Sequence, residues 1–392
     1  MEYEGHWLNI LHKIKADGRM RRLRPVQRLP NARIRVENGP VLVDFSSNDY
    51  MGLSWHPALA TATLDYVTRF GNGAGASRLV AGNLAIFDEI EDKLAKGKNM
   101  EAALVFVSGV QANLTILPAL LDKKTLGAEP LVYADRLNHA SLIQGCVAAG
   151  VRQIRFRHND LGHLEELLKR DGHVNRPRFI ITESVFSMDG DCLDLIKLTA
   201  LAEKFKAFLY IDDAHATGVF GVNGFGFGGG TKNAIIVGTF SKGLGGFGAY
   251  AAGSTLLREY LINKCGGLIY ATALPPAVLG TMNAALDILP SMGKERYHLA
   301  KMASHLRNTL TQAGLDTGKS TSQIIPVLFG SEHKALSMAQ KLEEAGYYAV
   351  AIRPPTVPIG SSRLRLTVSS MHGLEEIDAL AKKIIQLSYE IG

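Results

Sequence analysis

The chain has 392 residues, 46% of them apolar and 20% charged, which excludes a disordered chain and leaves room for two or three lobes. Its 43 Lys and Arg against 37 Asp and Glu give a net charge of +6, enough to suit an anionic substrate but thin support for a nucleic-acid partner. The three cysteines (Cys146, Cys192 and Cys265) lack paired or metal-like spacing and point to a reducing cytoplasm, and no apolar run approaches the roughly 20 residues that span a bilayer.

The N-terminal MEYEGHWLNI is acidic and lacks the apolar core of a secretion signal. Residues 1–45 begin with a basic amphipathic helix expected to pack on the C-terminal part of the chain. Residues 46–288 alternate short apolar runs with helical patterns. The runs at 102–107, 131–135, 179–183, 207–211 and 234–239 are unbroken, as in strands buried on both faces of a mostly parallel sheet. Between them, Leu195, Leu198, Ala202 and Phe205 follow one helix face, so this region is predicted to be a large α/β domain. Residues 289–392 change character. A long polar helix (294–314) precedes a strand (324–329), a helix ending at Gly346, two short strands and a last helix carrying Leu374, Ile377, Ala381 and Ile384, the pattern of a smaller α+β domain.

Ligands of open α/β sheets bind beyond the carboxyl ends of the strands. The first run is followed by Ser108-Gly109-Val110-Gln111-Ala112-Asn113, opening a helix whose free N–H groups and dipole suit a phosphate, although Ser-Gly there is equally a plain cap and turn. The second is followed by Asn138 and His139, the third by Ser184 and Ser187, the fourth by Asp212 and His215, the fifth by Ser241 and Lys242. Asp212 after AFLYI needs a cation or several donors, or serves as a cap for the turn at Ala214. Taken singly, a lysine is usually solvated and each histidine is a satisfied core residue. Together, a phosphate cradle, a buried carboxylate, a stacking histidine and a lysine match the phosphate, pyridine nitrogen and aldehyde of pyridoxal phosphate.

The segments SSNDYMGL (46–53), GAGASRLVAGN (73–83), SGVQAN (108–113), ADRLNHASL (134–142), TESVFSMDGD (182–191), IDDAHATGVFG (211–221), TFSKGLGGFGAY (239–250) and YATALPP (270–276) resemble the α-oxoamine synthases, and the likeness covers nearly the whole chain. The resemblance implies a fold-type I pyridoxal-phosphate transferase that condenses an amino acid with an acyl thioester and releases carbon dioxide. It makes Lys242 the Schiff-base lysine and proton-abstracting base, and Asp212 the partner of the pyridinium nitrogen. His215 and Ser187 become contacts of the phenolic oxygen, and His139 the residue stacked on the ring. Gly109 and Val110 offer backbone N–H groups, Thr239 binds the phosphate, and Thr272 is a phosphate contact supplied by the neighbouring subunit of a homodimer. Asn48 and Arg365 hold the amino-acid carboxylate; Arg21 and Thr356 are acyl-substrate contacts. The segment AIRPPTVPIGSSRLRLTVSSMH (351–372) resembles the members that join L-alanine to a pimeloyl thioester, on coenzyme A or acyl carrier protein, to give 8-amino-7-oxononanoate in biotin synthesis. Other members use other amino acids or acyl chains, such as glycine with acetyl-CoA. Val110, Ala216, Ala271 and Ala273 depart from the family's commonest residues without removing a reacting group.

Two other classes compete. Gly243, Gly245 and Gly248 match the glycine spacing of a nicotinamide-dependent dehydrogenase, though after a late strand. The cluster Arg21, Arg22, Arg24 and Arg28 is either a polyanion or substrate contact or a solvated face.

Overall fold

In a computed structural model, which describes residues 2–17 and 19–391, the five apolar runs enter one seven-stranded sheet. Its spatial order is Ala102–Phe106, Ala249–Gly253, Ala234–Thr239, Ala207–Asp212, Arg178–Glu183, Leu131–Asp135 and Gln153–Phe156. From Ala234–Thr239 to Gln153–Phe156 all pairs are parallel, and Ala249–Gly253 runs antiparallel to both its neighbours. The sheet is therefore the mostly parallel one expected. Its two additional strands carry no long apolar run: Gln153–Phe156 is a short edge strand interrupted by Arg155, and AYAAG at 249–253 is built from small residues after a glycine-rich turn.

A second sheet joins Val26–Leu29, Arg33–Val36 and Val41–Asp44 to the short strand Tyr347–Tyr348. A third sets Ser362–Thr367 between Ile324–Gly330 and Val350–Ile352, all antiparallel. The N-terminal residues thus meet the C-terminal ones through a strand pairing and three ion pairs, Arg19–Glu332, Arg24–Glu343 and Arg33–Glu376. These contacts belong to residues 19–44 and not to the first helix. Glu2–Ala16 leaves Tyr3, Trp7, Leu8, Ile10 and Leu11 exposed, so the packing expected of that helix is corrected.

Beneath the strand end that carries Asp212, its neighbour Asp213 forms a fully buried ion pair with Lys98. The Asp213 carboxylate also accepts from Ser184 Oγ at 2.5 Å and from the Phe227 N–H at 3.1 Å, while Lys98 Nζ donates to the Phe227 carbonyl at 3.0 Å. Removing one partner strands the other without solvent. Lys98→Ala is expected to lower stability by about 3–5 kcal/mol in denaturant unfolding; a loss below about 1 kcal/mol, the range of an exposed pair, would contradict the pair's anchoring of this loop.

Candidate functional site

The strand ends converge on a pocket of about 200 Å³ lined by Gly109, Val110, His139, Asp212, His215, Thr239 and Lys242, together with Ser108, Asn113, Ser141, Glu183, Ala214 and Ser241. Register explains the convergence. Asp212 ends the strand adjacent to Ala234–Thr239, and Lys242 follows that neighbour by three residues.

Asp212 both caps and waits for a partner. One carboxylate oxygen accepts the Ala214 N–H at 3.0 Å, and the other accepts Asn113 Nδ2 at 2.8 Å. Asn113 is fixed in turn by Tyr210, whose hydroxyl donates to Asn113 Oδ1 at 2.7 Å. Lys242 Nζ lies 2.7 Å from His215 Nε2. Among the described residues neither Asp212 nor Lys242 forms an ion pair. Burial lowers the Lys242 amine to about 8, against the upward pull of Asp212 and Glu183. Burial also drives His215 well below its ordinary value, helped by Lys242 and Arg365, and lowers His139.

The anion end is a helix start. Ser108 caps Gly109–Leu120 by accepting the Gln111 N–H at 3.2 Å, which leaves the Gly109 and Val110 N–H groups at the pocket. Open space surrounds the missing Gly109 side chain. Thr239 Oγ1 donates to the Gly248 carbonyl at 2.8 Å and lies 2.7 Å from Ser241 Oγ. Across from them the His139 ring is held at its edge by Ser141, with Nδ1 2.7 Å from Oγ, and leaves a face open. A helix start, a flat ring, a carboxylate without a cation and a lysine without an anion fit the phosphate, ring, pyridinium and aldehyde of pyridoxal phosphate.

Arg365 lies beside this pocket on Ser362–Thr367, buried and without a carboxylate partner among the described residues. Its Nε donates to the Ser187 carbonyl at 2.5 Å and its Nη2 to Asn48 Oδ1 at 3.1 Å. Asn48, Ser187 and Arg365 thus come together. Arg21 and Thr356 line a different pocket of about 920 Å³ between residues 20–24 and 348–356. Thr272 sits elsewhere, exposed and bridged to Ser77.

The sequence reading missed Tyr50, Asn113 and Glu183. Asn113 was signalled by its place one helical turn after Gly109. Glu183 was signalled by register, since it ends its strand directly beside Asp212. Burial and that neighbouring carboxylate raise Glu183 well above the usual range, while its Oε1 accepts the His139 N–H at 2.5 Å. His158 is another support. It lies between Asp135 (3.0 Å) and Asp191 (3.2 Å), tying the strand end before His139 to the loop carrying Ser187. These carboxylates overcome its burial and raise it to about 10.

The competing classes lose their structural context. After Gly243, Gly245 and Gly248 the chain enters the antiparallel strand Ala249–Gly253, so no helix start follows to receive a dinucleotide pyrophosphate. Arg22 and Arg24 pair with Glu37, Arg24 also with Glu343, and Arg28 with Asp49, which neutralises most of the basic cluster and leaves Arg21, on the Pro354 carbonyl, as its one member without an ion pair among the described residues.

A family model described as aminotransferase class I and II matches residues 40–384. The chain is 54% identical to a putative 8-amino-7-oxononanoate synthase of Paramagnetospirillum magneticum, with 94% of each chain covered. It is 50% identical to the 8-amino-7-oxononanoate synthase of Gluconacetobacter diazotrophicus, again over 94% of each. Its fold is similar to that of a serine palmitoyltransferase of S. paucimobilis solved with a bound pyridoxal-phosphate–myriocin aldimine, with a TM-score of 0.90, 26% identity and coverage of 99% and 98%.

In the cofactor-free chain, the rate at which Lys242 is alkylated is expected to rise with a midpoint near pH 8, against about 10.4 for an ordinary lysine; mass-mapped labelling across pH checks it, and a midpoint above 10 refutes the depression. The raised His158 contributes stability that is fully present below about pH 6.5 and is lost as pH rises through about 10. Unfolding curves of His158→Gln are expected to lack that decline.

Proposed function

We propose that this chain, which belongs to the α-oxoamine synthases of the aminotransferase class I and II family, condenses L-alanine with a pimeloyl thioester to give 8-amino-7-oxononanoate, carbon dioxide and free thiol. The observation that carries the reading is the separation of Asp212, buried, and Lys242, half-buried, across one pocket, neither of them in an ion pair among the described residues. The relatives named for this product share about half of the chain's residues over nearly its full length, which favours it over the serine-using activity named for the structural neighbour at 26% identity.

The protein is a pyridoxal-phosphate enzyme, and the cofactor supplies the electron sink that stabilises negative charge on the substrate α-carbon. The Gly109 and Val110 N–H groups and Thr239 would hold its phosphate, with Thr272 from a second copy completing that contact in a homodimer. His139 would stack on the ring, and Asp212, braced by Asn113 and the Ala214 N–H, would pair with the ring nitrogen. His215 and Ser187 would contact the phenolic oxygen. Arg365, with Nε and Nη2 already committed to Ser187 and Asn48, offers Nη1 to the alanine carboxylate and holds it until it leaves as carbon dioxide. Lys242 Nζ takes the α proton and returns one to the same carbon after decarboxylation; an amine lowered to about 8 has a far larger neutral fraction near neutral pH than an ordinary lysine and is mostly neutral above pH 8. Arg21 and Thr356 contact the acyl chain, delivered on coenzyme A or acyl carrier protein. The cysteines are free, and among the described residues no helix is long and apolar enough to cross a membrane; both support a cytoplasmic enzyme.

A thiol-release assay over a matrix of amino acids and acyl thioesters is expected to be fastest with L-alanine and a pimeloyl thioester; faster release with glycine and acetyl-CoA would overturn the substrate assignment. Lys242→Ala is expected to abolish release with every pair. Arg365→Ala is expected to cost about 2–5 kcal/mol, read chiefly as a raised KM for alanine and not for the thioester.

A further inference from the structure

Tyr50 is fully buried, and its hydroxyl meets Asn48 and His215, with the Arg365 and Gln323 side chains also within reach of it. Its hydroxyl is 3.0 Å from Asn48 Oδ1 and 2.6 Å from His215 Nδ1. On either side, Arg365 Nη2 lies 3.1 Å from the same Asn48 oxygen, and Lys242 Nζ lies 2.7 Å from His215 Nε2. Five side chains therefore form one line of contacts, and one end of it has a fixed polarity. A guanidinium only donates, so the Asn48 atom facing Arg365 is the oxygen. That oxygen only accepts, so the single hydroxyl proton of Tyr50 is directed to Asn48; turned toward His215, it would leave two oxygens facing each other without a proton between them. With its proton committed, the Tyr50 oxygen accepts from His215, which requires a proton on Nδ1. Burial and the neighbouring cations keep His215 neutral, so Nε2 carries a bare lone pair.

We propose that Tyr50 is a positioning residue that fixes His215 as its Nδ1–H tautomer, with Arg365 setting the direction of the line through Asn48. The consequence falls on Lys242. Its amine donates one N–H to His215 Nε2, and the lone pair of the neutral amine is left facing the pocket. In the opposite tautomer, Nε2–H would donate to that lone pair and occupy it. The Gln323 side chain, donating to the His215 carbonyl at 2.9 Å, holds the histidine backbone in place while the ring is set by Tyr50. The inference concerns the cofactor-free chain and does not depend on which amino acid or thioester the enzyme uses.

The test is ¹⁵N NMR of histidine-labelled full-length protein, with the His215 signals assigned by their loss in His215→Asn. Wild type is expected to show a protonated Nδ1 and a pyridine-type Nε2. Tyr50→Phe keeps the ring and removes the hydroxyl; it is expected to move His215 to a mixture of tautomers and to slow Lys242 alkylation by about 3- to 10-fold, the worth of one hydrogen bond. Asn48→Ala frees the Tyr50 proton and is expected to shift the tautomer in the same direction. Asn48→Asp keeps an acceptor and is expected to restore the wild-type signals. A Tyr50 that served packing alone would change the unfolding midpoint and leave the ¹⁵N signals in place. Nε2–H in wild type, or an unchanged tautomer in both Tyr50→Phe and Asn48→Ala, overturns the proposal; where Tyr50→Phe does not fold, Asn48→Ala alone decides.

Discussion

Asp212 and Lys242 are brought to one pocket by two adjacent parallel strands and yet do not neutralise each other. Buried groups of opposite charge ordinarily close into a pair, because an unpartnered charge away from water is costly. Here each is diverted. Asp212 is met by the Asn113 amide and the Ala214 N–H, and Lys242 is turned toward His215. The pocket of about 200 Å³ lies between these two groups.

The rest of the site maintains that gap. Lys98 and Asp213 lock the turn after the Asp212 strand from below, while Glu183, driven toward its neutral form beside Asp212, spends an oxygen on the His139 N–H. The loop carrying Ser187 is gripped from both sides of the molecule. His158 reaches Asp191 from the large sheet, and Arg363 on Ser362–Thr367 pairs with Asp189 at 2.6 Å and donates to the Met188 carbonyl at 3.3 Å. Gly190 in that loop has a positive φ of 70°, and a Cβ there would meet the Ile324 carbonyl oxygen, so only glycine lets the loop lie against the third sheet. Two sheets therefore agree on the position of one short segment, and that segment presents the carbonyl that orients Arg365.

The parts of this arrangement legible in the sequence are those that depend on local pattern. Unbroken apolar runs give the parallel strands, and the residues after each run give candidates at the sheet's carboxyl edge, among them Gly109, His139, Asp212, His215 and Lys242. What stays hidden depends on register and on distant pairing. Ala249–Gly253 is a strand because two neighbours flank it and not because of its own composition. Glu183 gains its character from standing beside Asp212, and Tyr50 from meeting His215 across 165 positions of chain. Arg21 and Thr356 line one pocket together, apart from the one that holds Lys242.

Arg365 connects these levels. It alternates with Leu364 and Leu366 on a strand, so its buried direction follows from the period of the sheet, and it is orphaned because no carboxylate of the described chain reaches it. A buried guanidinium held by neutral oxygens and by no carboxylate carries an uncompensated charge, which favours an incoming carboxylate over water. The same guanidinium dictates which way the Asn48 amide faces, and through Tyr50 and His215 that orientation reaches the nitrogen of Lys242. The contact to the Ser187 loop and the line that ends at the Lys242 amine are thereby tied to one side chain.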